Sequence, residues 1–227
     1  MENRKRIVAV VPVRKGSQRV ISKNTRPFAA TNLLELKLRV LKEVKEIDEI
    51  IVNTDCIKAI EIARKNGVSV QERAEYFASS DVTNDVHWRH IAEVTNTDII
   101  MLAQTTSPMI KVSTYSDAIN SYFDSCQCDS INSVSAEKKF LWQGGKPINY
   151  EINKTPKSQD LPDIVSLNFA ITIIEKELMF NKGNVVGDTP CFIELDRVES
   201  IDIDDQLDFD FAEHIFKLHG YKWLLGQ

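Results

Sequence analysis

Apolar runs alternate along this chain with segments whose apolar positions recur at helical spacing. Runs without a polar face are typical of strands buried on both sides of a parallel sheet. Residues 7–13 and 98–103 are runs of this kind, and residues 48–54 and 68–70 also predict strands. Leucine, isoleucine or valine at helical spacing, with charged residues in between, occupies residues 33–44, 57–65 and 83–94. The alternation predicts an α/β fold, doubly wound, with a mostly parallel sheet flanked by helices on both faces.

Local signals support several element boundaries. Asn66-Gly67 is a typical helix C-cap, and Thr83 is a possible N-cap for the helix that follows it. Near the carboxyl end, residues 201–204 alternate as on a strand, and residues 207–219 predict a helix. We expect the core side of this last helix to be formed by an apolar stripe of Phe209, Phe211, Ala212, Ile215 and Phe216.

The segment after residue 135 breaks the alternation. Residues 130–135 predict another strand, but residues 138–159 are polar and rich in glycine and proline, so that no helix fits there. Residues 165–174 return as a long β-type run. We interpret residues 136–184 as a small projecting arm inserted into a core of residues 1–135 and 185–227. A long surface loop in one continuous domain is the alternative.

Composition and cysteine spacing argue against several classes of function. A net charge of −5 argues against a general nucleic-acid binder, which needs a broad basic field. The four cysteines lack a paired Cys-x-x-Cys arrangement, which argues against a zinc site, and we expect Cys126 and Cys128 to be structural thiols. The apolar run near the amino terminus is too short to span a membrane and lacks a cleavage site. We therefore expect a cytoplasmic protein without a membrane partner.

A polar loop follows the first apolar run, where open α/β sheets bind their ligands. It contains Gly16 and Ser17, whose backbone amides could cradle phosphate oxygens, and it carries the cations Arg14, Lys15, Arg19 and Lys23. The loop is neither a Walker motif, since no Gly-Lys-Ser/Thr closes it, nor a dinucleotide fingerprint, since it has one glycine. We interpret it as a triphosphate-binding loop; an ordinary basic surface loop is the alternative.

Two aspartates near the carboxyl end are candidates for a metal site. Asp202 and Asp204 alternate with Ile201 and Ile203, so on a strand both carboxylates would project to one side. Two hard oxygen ligands beside a polyphosphate suit Mg²⁺. The alternative is a polar strand end at which Asp204 or Asp205 caps the following helix.

These motifs together resemble the sugar-acid cytidylyltransferases of the CMP-sialic acid synthetase family. The stretch VVPVRKGSQRVISKN is similar to the opening signature of that family, although Gln18 stands where family members often have lysine. The stretch SIDIDDQLDF is similar to the family's Ser-Ile-Asp-Ile-Asp element. Three further segments resemble the family in order: Asn53-Thr54-Asp55, Arg73 followed by Asp81 and Thr83, and Gln104-Thr105-Thr106-Ser107-Pro108.

The resemblance implies an enzyme that joins CTP to an acidic nine-carbon sugar, giving a CMP-sugar and pyrophosphate. It implies catalytic roles for Arg14, Lys23 and Asp202, and Mg²⁺ bound by Asp202 and Asp204. It also implies nucleotide binding by Arg14, Gly16, Ser17, Lys23, Asn24, Arg73 and Asp81. Sugar binding is expected at Gln104, Ser107, Lys157, Gln159 and Asn168. The arm would be a dimerisation lobe of a homodimer.

Departures from the family pattern leave the sugar open. Ala74 and Thr105 stand where prolines are common, and Phe169 replaces a glycine after Asn168. Another nonulosonic acid or the eight-carbon sugar acid of lipopolysaccharide would fit as well. Rival hypotheses are a non-catalytic nucleotide-binding regulator and a nucleotidyltransferase that uses another base. His87 and His90, three apart on a predicted helix, favour a solvated or core-edge role over a metal site.

Overall fold

Seven strands form one sheet around the apolar run at the start of the chain. The computed structural model describes residues 4–17, 19–79, 81–125 and 127–226. Its strands are β1 (Ile7–Val13), β2 (Glu49–Thr54), β3 (Ser69–Glu72), β4 (Ile99–Ala103), β5 (Ser130–Ala136), β6 (Trp142–Gln143), β7 (Lys146–Pro147), β8 (Val165–Glu175) and β9 (Pro190–Glu194). The main sheet has the order β3-β2-β1-β4-β8-β5-β9, with only β8 antiparallel to its neighbours, while β6 and β7 form a separate hairpin.

Helices cover both faces of this sheet. They are α1 (Leu33–Lys42), α2 (Ile57–Lys65), α3 (Glu75–Ala78), α4 (Asn84–Val94), α5 (Val112–Asp124), α6 (Lys176–Lys182) and α7 (Gln206–Leu224). Alternate residues of β1 face opposite ways: Ile7 and Ala9 pack with residues of α1, α2, α5 and α7, whereas Val8 packs with residues of α4 and α6. The predicted mostly parallel, doubly wound α/β architecture is therefore confirmed.

Several elements carry no prediction from the sequence pattern: the helices α3, α5 and α6 and the strands β6, β7 and β9. One segment is misassigned. Residues 201–204, expected as a strand, are extended but join no sheet, because Ile203 N–H donates instead to the Thr106 carbonyl, at 2.9 Å. The alternation itself is confirmed, since Ile203 is buried while Asp202 and Asp204 are exposed.

The expected arm of residues 136–184 contains a strand of the main sheet. β8 pairs with β4 on one side and with β5 on the other, and its Ala170–Ile174 half is buried. It joins the sheet because residues 170–174 are apolar except for Thr172, whose hydroxyl bonds to Asn132 of β5. The part outside the sheet is residues 137–164, which hold the β6–β7 hairpin and two short 3₁₀ turns, Ile152–Lys154 and Ser158–Asp160.

The cysteine prediction needs one correction. Cys128 is not a free thiol: it forms a disulfide with Cys191, their Cα atoms being 5.5 Å apart. The pairing follows from the sheet, because Cys191 lies on β9 beside the start of β5. Cys126 lies outside the described residues. Among the helices of the described chain, none combines the length and apolar character that crossing a membrane requires.

Helix α7 packs against the loop after β1 and joins it to the core. A capping box begins it, in which the Asp205 side chain accepts from Asp208 N–H and the Asp208 side chain accepts in return. Phe28 packs between Phe209 and Phe216, with ring centroids 5.5 and 5.6 Å away. Phe211, expected in the core stripe, is 53% exposed, because two residues along a helix turn a side chain to the far side.

Replacing Phe28 with alanine should lower the free energy of unfolding by about 3–5 kcal/mol, the range for deleting a buried aromatic ring. Phe28 is fully buried, so the substitution leaves a cavity between the loop and α7. Urea denaturation followed by circular dichroism measures the change. Phe211→Ala is the matched control, for which a loss within about 0.5 kcal/mol is expected. Equal losses for the two variants would contradict this packing.

Candidate active site

The strand order places a cleft at the carboxyl ends of β1 and β4. The chain leaves β1 toward β2 on one side and later adds β4 on the other, so the loops that follow these two strands diverge. The cleft between them has a volume of about 470 Å³. Its lining includes seven of the predicted site residues: Arg14, Ser17, Lys23, Asn24, Arg73, Gln104 and Asp204.

Two hydrogen bonds hold the first part of the loop after β1, one to the residue that follows β2 and one within the loop. The backbone N–H of Lys15 donates to the Asp55 carboxylate at 2.8 Å, and Ser17 N–H donates to the Lys15 carbonyl at 3.2 Å. Asp55 is the residue that ends the second strand in the sequence motif, so the motif has a local structural role here. Gly16 belongs to the same turn but does not line the cleft; Gln18 lies outside the described residues.

The two walls of the cleft are joined by a buried side-chain hydrogen bond. Thr105, in the loop after β4, donates from its hydroxyl to the Asn24 side-chain oxygen at 2.8 Å. Both residues are buried, so each partner would be left unsatisfied without the other. This contact fixes the spacing between the loops that follow β1 and β4.

A buried lysine supports the loop after β4 from behind. Lys37 of α1 is 2% exposed, and its ammonium donates to the Ser107 carbonyl at 2.8 Å and to the Tyr115 hydroxyl at 2.5 Å. Burial lowers the pKa of Lys37 to about 7, partly offset by Glu199. Ser107, predicted to bind the sugar, is itself buried and takes part in this support.

Lys23 connects the opening loop with the aspartate pair. Its ammonium donates to the Ile203 carbonyl, between the two aspartates. Burial lowers the pKa of Lys23, an effect that Asp202 and Asp204 oppose and that Arg19 and Arg14 reinforce. The catalytic residues predicted at opposite ends of the chain are therefore neighbours.

The aspartates themselves have different surroundings. The Asp204 carboxylate forms an ion pair with Arg19 at 2.7 Å, with both side chains largely exposed. The pKa of the Asp202 carboxyl is raised, mainly because neighbouring protein atoms displace water from it. A hydrogen bond with Thr106 lowers this pKa in part, and the negative charge of Asp204 raises it further. Among the described residues, no cluster of three or more histidine, cysteine, aspartate or glutamate side chains could hold a metal.

Arg73, which directly follows β3, lines the cleft. Its backbone N–H donates to the Thr54 carbonyl at 2.8 Å, and its guanidinium Nη2 donates to the Val13 carbonyl at 3.0 Å. Nη1 lies 3.3 Å from His87 Nδ1. Burial lowers the pKa of Arg73, with Asp55 opposing this effect and Arg14 reinforcing it.

Several predicted site residues lie outside the cleft lining. Asp81 and Asp202 lie beside it, Asp202 through its bond to Thr106. Lys157 and Gln159 are exposed in residues 137–164. Asn168 on β8 accepts from the Ser133 hydroxyl at 2.5 Å and donates to the Ser135 hydroxyl at 3.0 Å, so its polar atoms bond to β5. Sugar roles for these residues remain predictions.

The cleft lining also includes residues without a predicted site role, among them Arg19, Phe77, His87 and Trp88. His87 was expected to be solvated or at a core edge. The sequence could have indicated that Phe77, His87 and Trp88 lie at the site, because they flank the Asp81–Thr83 motif. Their shared orientation depends on the packing of α3 against α4, which includes Phe77 stacked on His90 with ring centroids 3.8 Å apart.

The cleft is suited to a polyanion that also carries a planar group. Arg14, Arg19, Lys23 and Arg73 place four cations around it, against Asp204 in its lining. Cations and loop amides stabilise phosphate oxygens, while the aromatic side chains and buried donors suit a base.

Comparison with known proteins agrees with this chemistry. The model of the cytidylyltransferase family matches residues 8–160. The chain is 28% identical to the CMP-N,N'-diacetyllegionaminic acid synthase of Legionella pneumophila, covering 94% of this chain and 97% of that protein. It is 24% identical to an N-acylneuraminate cytidylyltransferase of Escherichia coli, covering 92% of this chain but only 52% of that longer protein.

Solved structures agree on the fold. The CMP:2-keto-3-deoxy-manno-octonic acid synthetase complexed with CTP has a TM-score of 0.70 at 12% identity, covering 94% of this chain and 99% of that one. The 4-diphosphocytidyl-2C-methyl-D-erythritol synthase of Anaerococcus prevotii has a TM-score of 0.71 at 14% identity, covering 94% and 96%. The family match extends over most of the chain and includes the loop after β1 and the loop after β4. The chain is thus an enzyme of the cytidylyltransferase family, as the resemblance in its sequence implied.

Proposed function

We propose that this enzyme transfers CMP from CTP to an acidic nine-carbon sugar, releasing pyrophosphate. The observation that carries the proposal is the meeting of Arg14, Lys23, Arg73 and Asp204 in the lining of one cleft, with Asp202 beside it and close enough for its charge to act on Lys23. Sequence relatives named for CMP-legionaminic acid synthesis and for N-acylneuraminate cytidylyl transfer support the class of sugar.

The triphosphate would be bound by the loop after β1. Arg14 and Lys23 would neutralise its charge, and the backbone amide of Gly16 and the hydroxyl of Ser17 would donate to its oxygens, since the Ser17 amide is bonded to the Lys15 carbonyl. Asn24 and Arg73 are buried residues of the cleft lining, and we expect them to contact the cytosine and the ribose. Asp81 lies beside the lining. Because the Asn24 side-chain oxygen is already engaged by Thr105, its amide group is the part left to contact the nucleotide.

The aspartate pair fits Mg²⁺ as an incomplete site. Asp202 and Asp204 would hold Mg²⁺ through their hard carboxylate oxygens. Bound there, Mg²⁺ would supply positive charge beside the phosphates and favour loss of the proton of the attacking hydroxyl. Arg19, which pairs with Asp204 here, would be free to contact the triphosphate once that carboxylate is otherwise engaged.

In the reaction, the anomeric hydroxyl oxygen of the sugar forms a bond to the α-phosphorus. The bond from that phosphorus to the bridging oxygen of the β-phosphate breaks, and the hydroxyl proton is lost. Alignment and charge neutralisation supply most of the acceleration, with Arg14 and Lys23 stabilising the charge that builds on pyrophosphate. None of the predicted catalytic residues is a cysteine or histidine, which fits direct transfer without a covalent enzyme intermediate.

The sugar would enter on the side of the loop after β4. Gln104 lines the cleft, and its backbone N–H bonds to the Ala170 carbonyl of β8 at 3.2 Å. A sugar that extends beyond the cleft lining would be needed to contact the other predicted sugar-binding residues, which are Ser107, Lys157, Gln159 and Asn168. Legionaminic-type, pseudaminic-type and eight-carbon sugar acids remain alternatives to N-acetylneuraminate.

We also propose a homodimer that forms through the arm of residues 137–164 and the adjoining half of β8. Val165, Leu167 and Phe169 alternate onto one side of that strand, and all three are exposed. Exposed Phe140, Trp142, Ile148 and Ile152 lie in the arm itself. Large apolar side chains exposed at this density in neighbouring segments of the chain favour an interaction surface.

A cytoplasmic location would supply CTP and remains a prediction. The Cys128–Cys191 disulfide does not favour it, since disulfides persist mainly in oxidising compartments.

The function is tested by pyrophosphate release from CTP and Mg²⁺ with N-acetylneuraminate, legionaminic acid, pseudaminic acid and the eight-carbon sugar acid in turn. We expect release with a nine-carbon acid and its loss on adding chelator, because the aspartate pair needs the ion to hold the phosphates. Release that is insensitive to chelator would contradict the metal assignment. CTP binding without release for any sugar would favour the non-catalytic regulator.

Arg14→Ala should lower kcat by roughly 100-fold or more, since removing one group that stabilises transition-state charge typically has this effect. Steady-state kinetics measures it. Arg64→Ala is the control: Arg64 is exposed, pairs with Glu72 and does not line the cleft, so its kcat should stay within about twofold. A kcat for Arg14→Ala equal to that of this control would remove Arg14 from the reaction.

Leu167→Glu should convert the homodimer to single chains, because it places a charge in the proposed apolar contact. Sedimentation velocity reports the assembly state. Leu218→Glu on α7, where Leu218 is 68% exposed, introduces the same charge away from the arm and should leave the dimer intact. A wild-type protein that sediments as single chains would refute the homodimer.

A further inference from the structure

Arg73 is a buried cation whose hydrogen-bond partners are both neutral. The residue is 6% exposed, and its guanidinium contacts the Val13 carbonyl and the imidazole of His87. Its Nε is buried and has no hydrogen-bond partner within the described part of the chain. A buried donor without a partner costs free energy, and Arg73 lines the cleft, so a ligand that accepts hydrogen bonds would relieve this cost.

The contact with Arg73 determines the protonation of His87. A guanidinium has donors only, so Nη1 must donate and His87 Nδ1 must accept, which places the imidazole proton on Nε2. The positive charges that face His87 come from Arg73, from His90 on the same helix and from Arg14 in the loop after β1. Together with burial, which is the largest cause, they lower the pKa of His87 to about 4, so the imidazole is neutral near pH 7.

We propose that His87 is a positioning residue that holds the Arg73 guanidinium in one plane, so that its remaining N–H groups present a donor-only edge to the nucleobase and favour cytosine over uracil. The inference rests on the proposed use of CTP. Cytosine accepts hydrogen bonds at O2 and at N3, whereas uracil carries a proton at N3 and donates there. A fixed donor edge therefore matches cytosine and leaves a donor facing a donor with uracil.

Two anchors are needed to fix the plane. The Val13 carbonyl restrains one end of the guanidinium, at Nη2, and a group held by a single hydrogen bond can still rotate about it. The second contact, from Nη1 to His87, removes that freedom. A carboxylate in place of His87 would neutralise Arg73, and an aliphatic side chain would leave Nη1 without this acceptor. A neutral acceptor keeps both the charge and the orientation.

A purely structural role for His87 is the alternative. Its ring lies 4.7 Å from the Trp88 ring, so the imidazole also fills space beside the cleft. The two roles differ in what replaces the residue. Asparagine places its side-chain oxygen near the position of Nδ1 but fills less volume. Leucine fills the volume but accepts nothing, and glutamine places its oxygen near the position of Nε2.

The experiment is calorimetric titration of the full chain with CTP and with UTP, in Mg²⁺ and without sugar. Wild type, His87→Asn, His87→Leu and His87→Gln are compared, with His214→Asn on the exposed side of α7 as the remote control. We expect the preference for CTP over UTP to fall about tenfold or more in His87→Leu and His87→Gln, the size of one lost specific base contact. His87→Asn and His214→Asn should stay within about threefold of wild type.

An unchanged preference in His87→Leu, or an equal loss in His87→Asn, would overturn the positioning role while leaving cytidylyl transfer intact. If His87→Leu does not fold, the comparison of His87→Gln with His87→Asn separates the two roles in the same way. A wild-type protein that binds neither nucleotide would refute the proposed function together with this inference. Binding of both nucleotides with equal affinity by the wild type would overturn the inference alone.

Discussion

The pairing of β1 with β2 on one side and β4 on the other is the constraint on which the site depends. Parallel strands require crossover connections. The crossovers from β1 to β2 and from β2 to β3 run over one face of the sheet, whereas the crossover from β3 back to β4 runs over the other. The loops at the carboxyl ends of β1 and β4 therefore diverge and leave a cleft. Every residue proposed to bind the nucleotide lies on one of these loops, at the ends of β2 and β3, or on elements packed against them.

Side-chain hydrogen bonds convert this opening into a defined site. The Thr105–Asn24 bond joins the two diverging loops, and Lys37 braces the Ser107 carbonyl behind them. Lys23 and the Ile203 carbonyl bring the carboxyl-terminal aspartates to the opening loop. Each of these contacts buries a polar group that is costly to leave unpaired, so the loops are held without the help of a regular ladder.

Excess positive charge is the second property of the cleft. Arg14, Arg19, Lys23 and Arg73 raise the electrostatic potential in a protein whose net charge is negative. The Arg19–Asp204 pair is exposed, and such pairs contribute little to stability, so exchanging it for contacts with a ligand costs little. Burial of Arg73 beside neutral partners is the costly element, which is typical of a site prepared for a ligand.

Most of the fold could be predicted from periodicity, because its strands are apolar on both faces and its helices are amphipathic. α5 could not: it is rich in serine and β-branched residues, which are weak helix formers, and its start is stabilised by Glu199, which accepts from Lys111 N–H and the Thr114 hydroxyl. The candidate site was predictable where family motifs exist. The role of His87 was not predictable, because it depends on a contact with Arg73, which lies fourteen residues earlier in the loop after β3.

The antiparallel course of β8 has an evolutionary consequence. Ala136 at the end of β5 is paired with Val165 at the start of β8, so residues 137–164 leave and re-enter the sheet at adjacent points. A segment with such closely spaced ends can lengthen, shorten or change composition at a small entropic cost, because loop closure depends only weakly on length. Relatives could therefore diversify this excursion freely while the strands that shape the cleft stay constant.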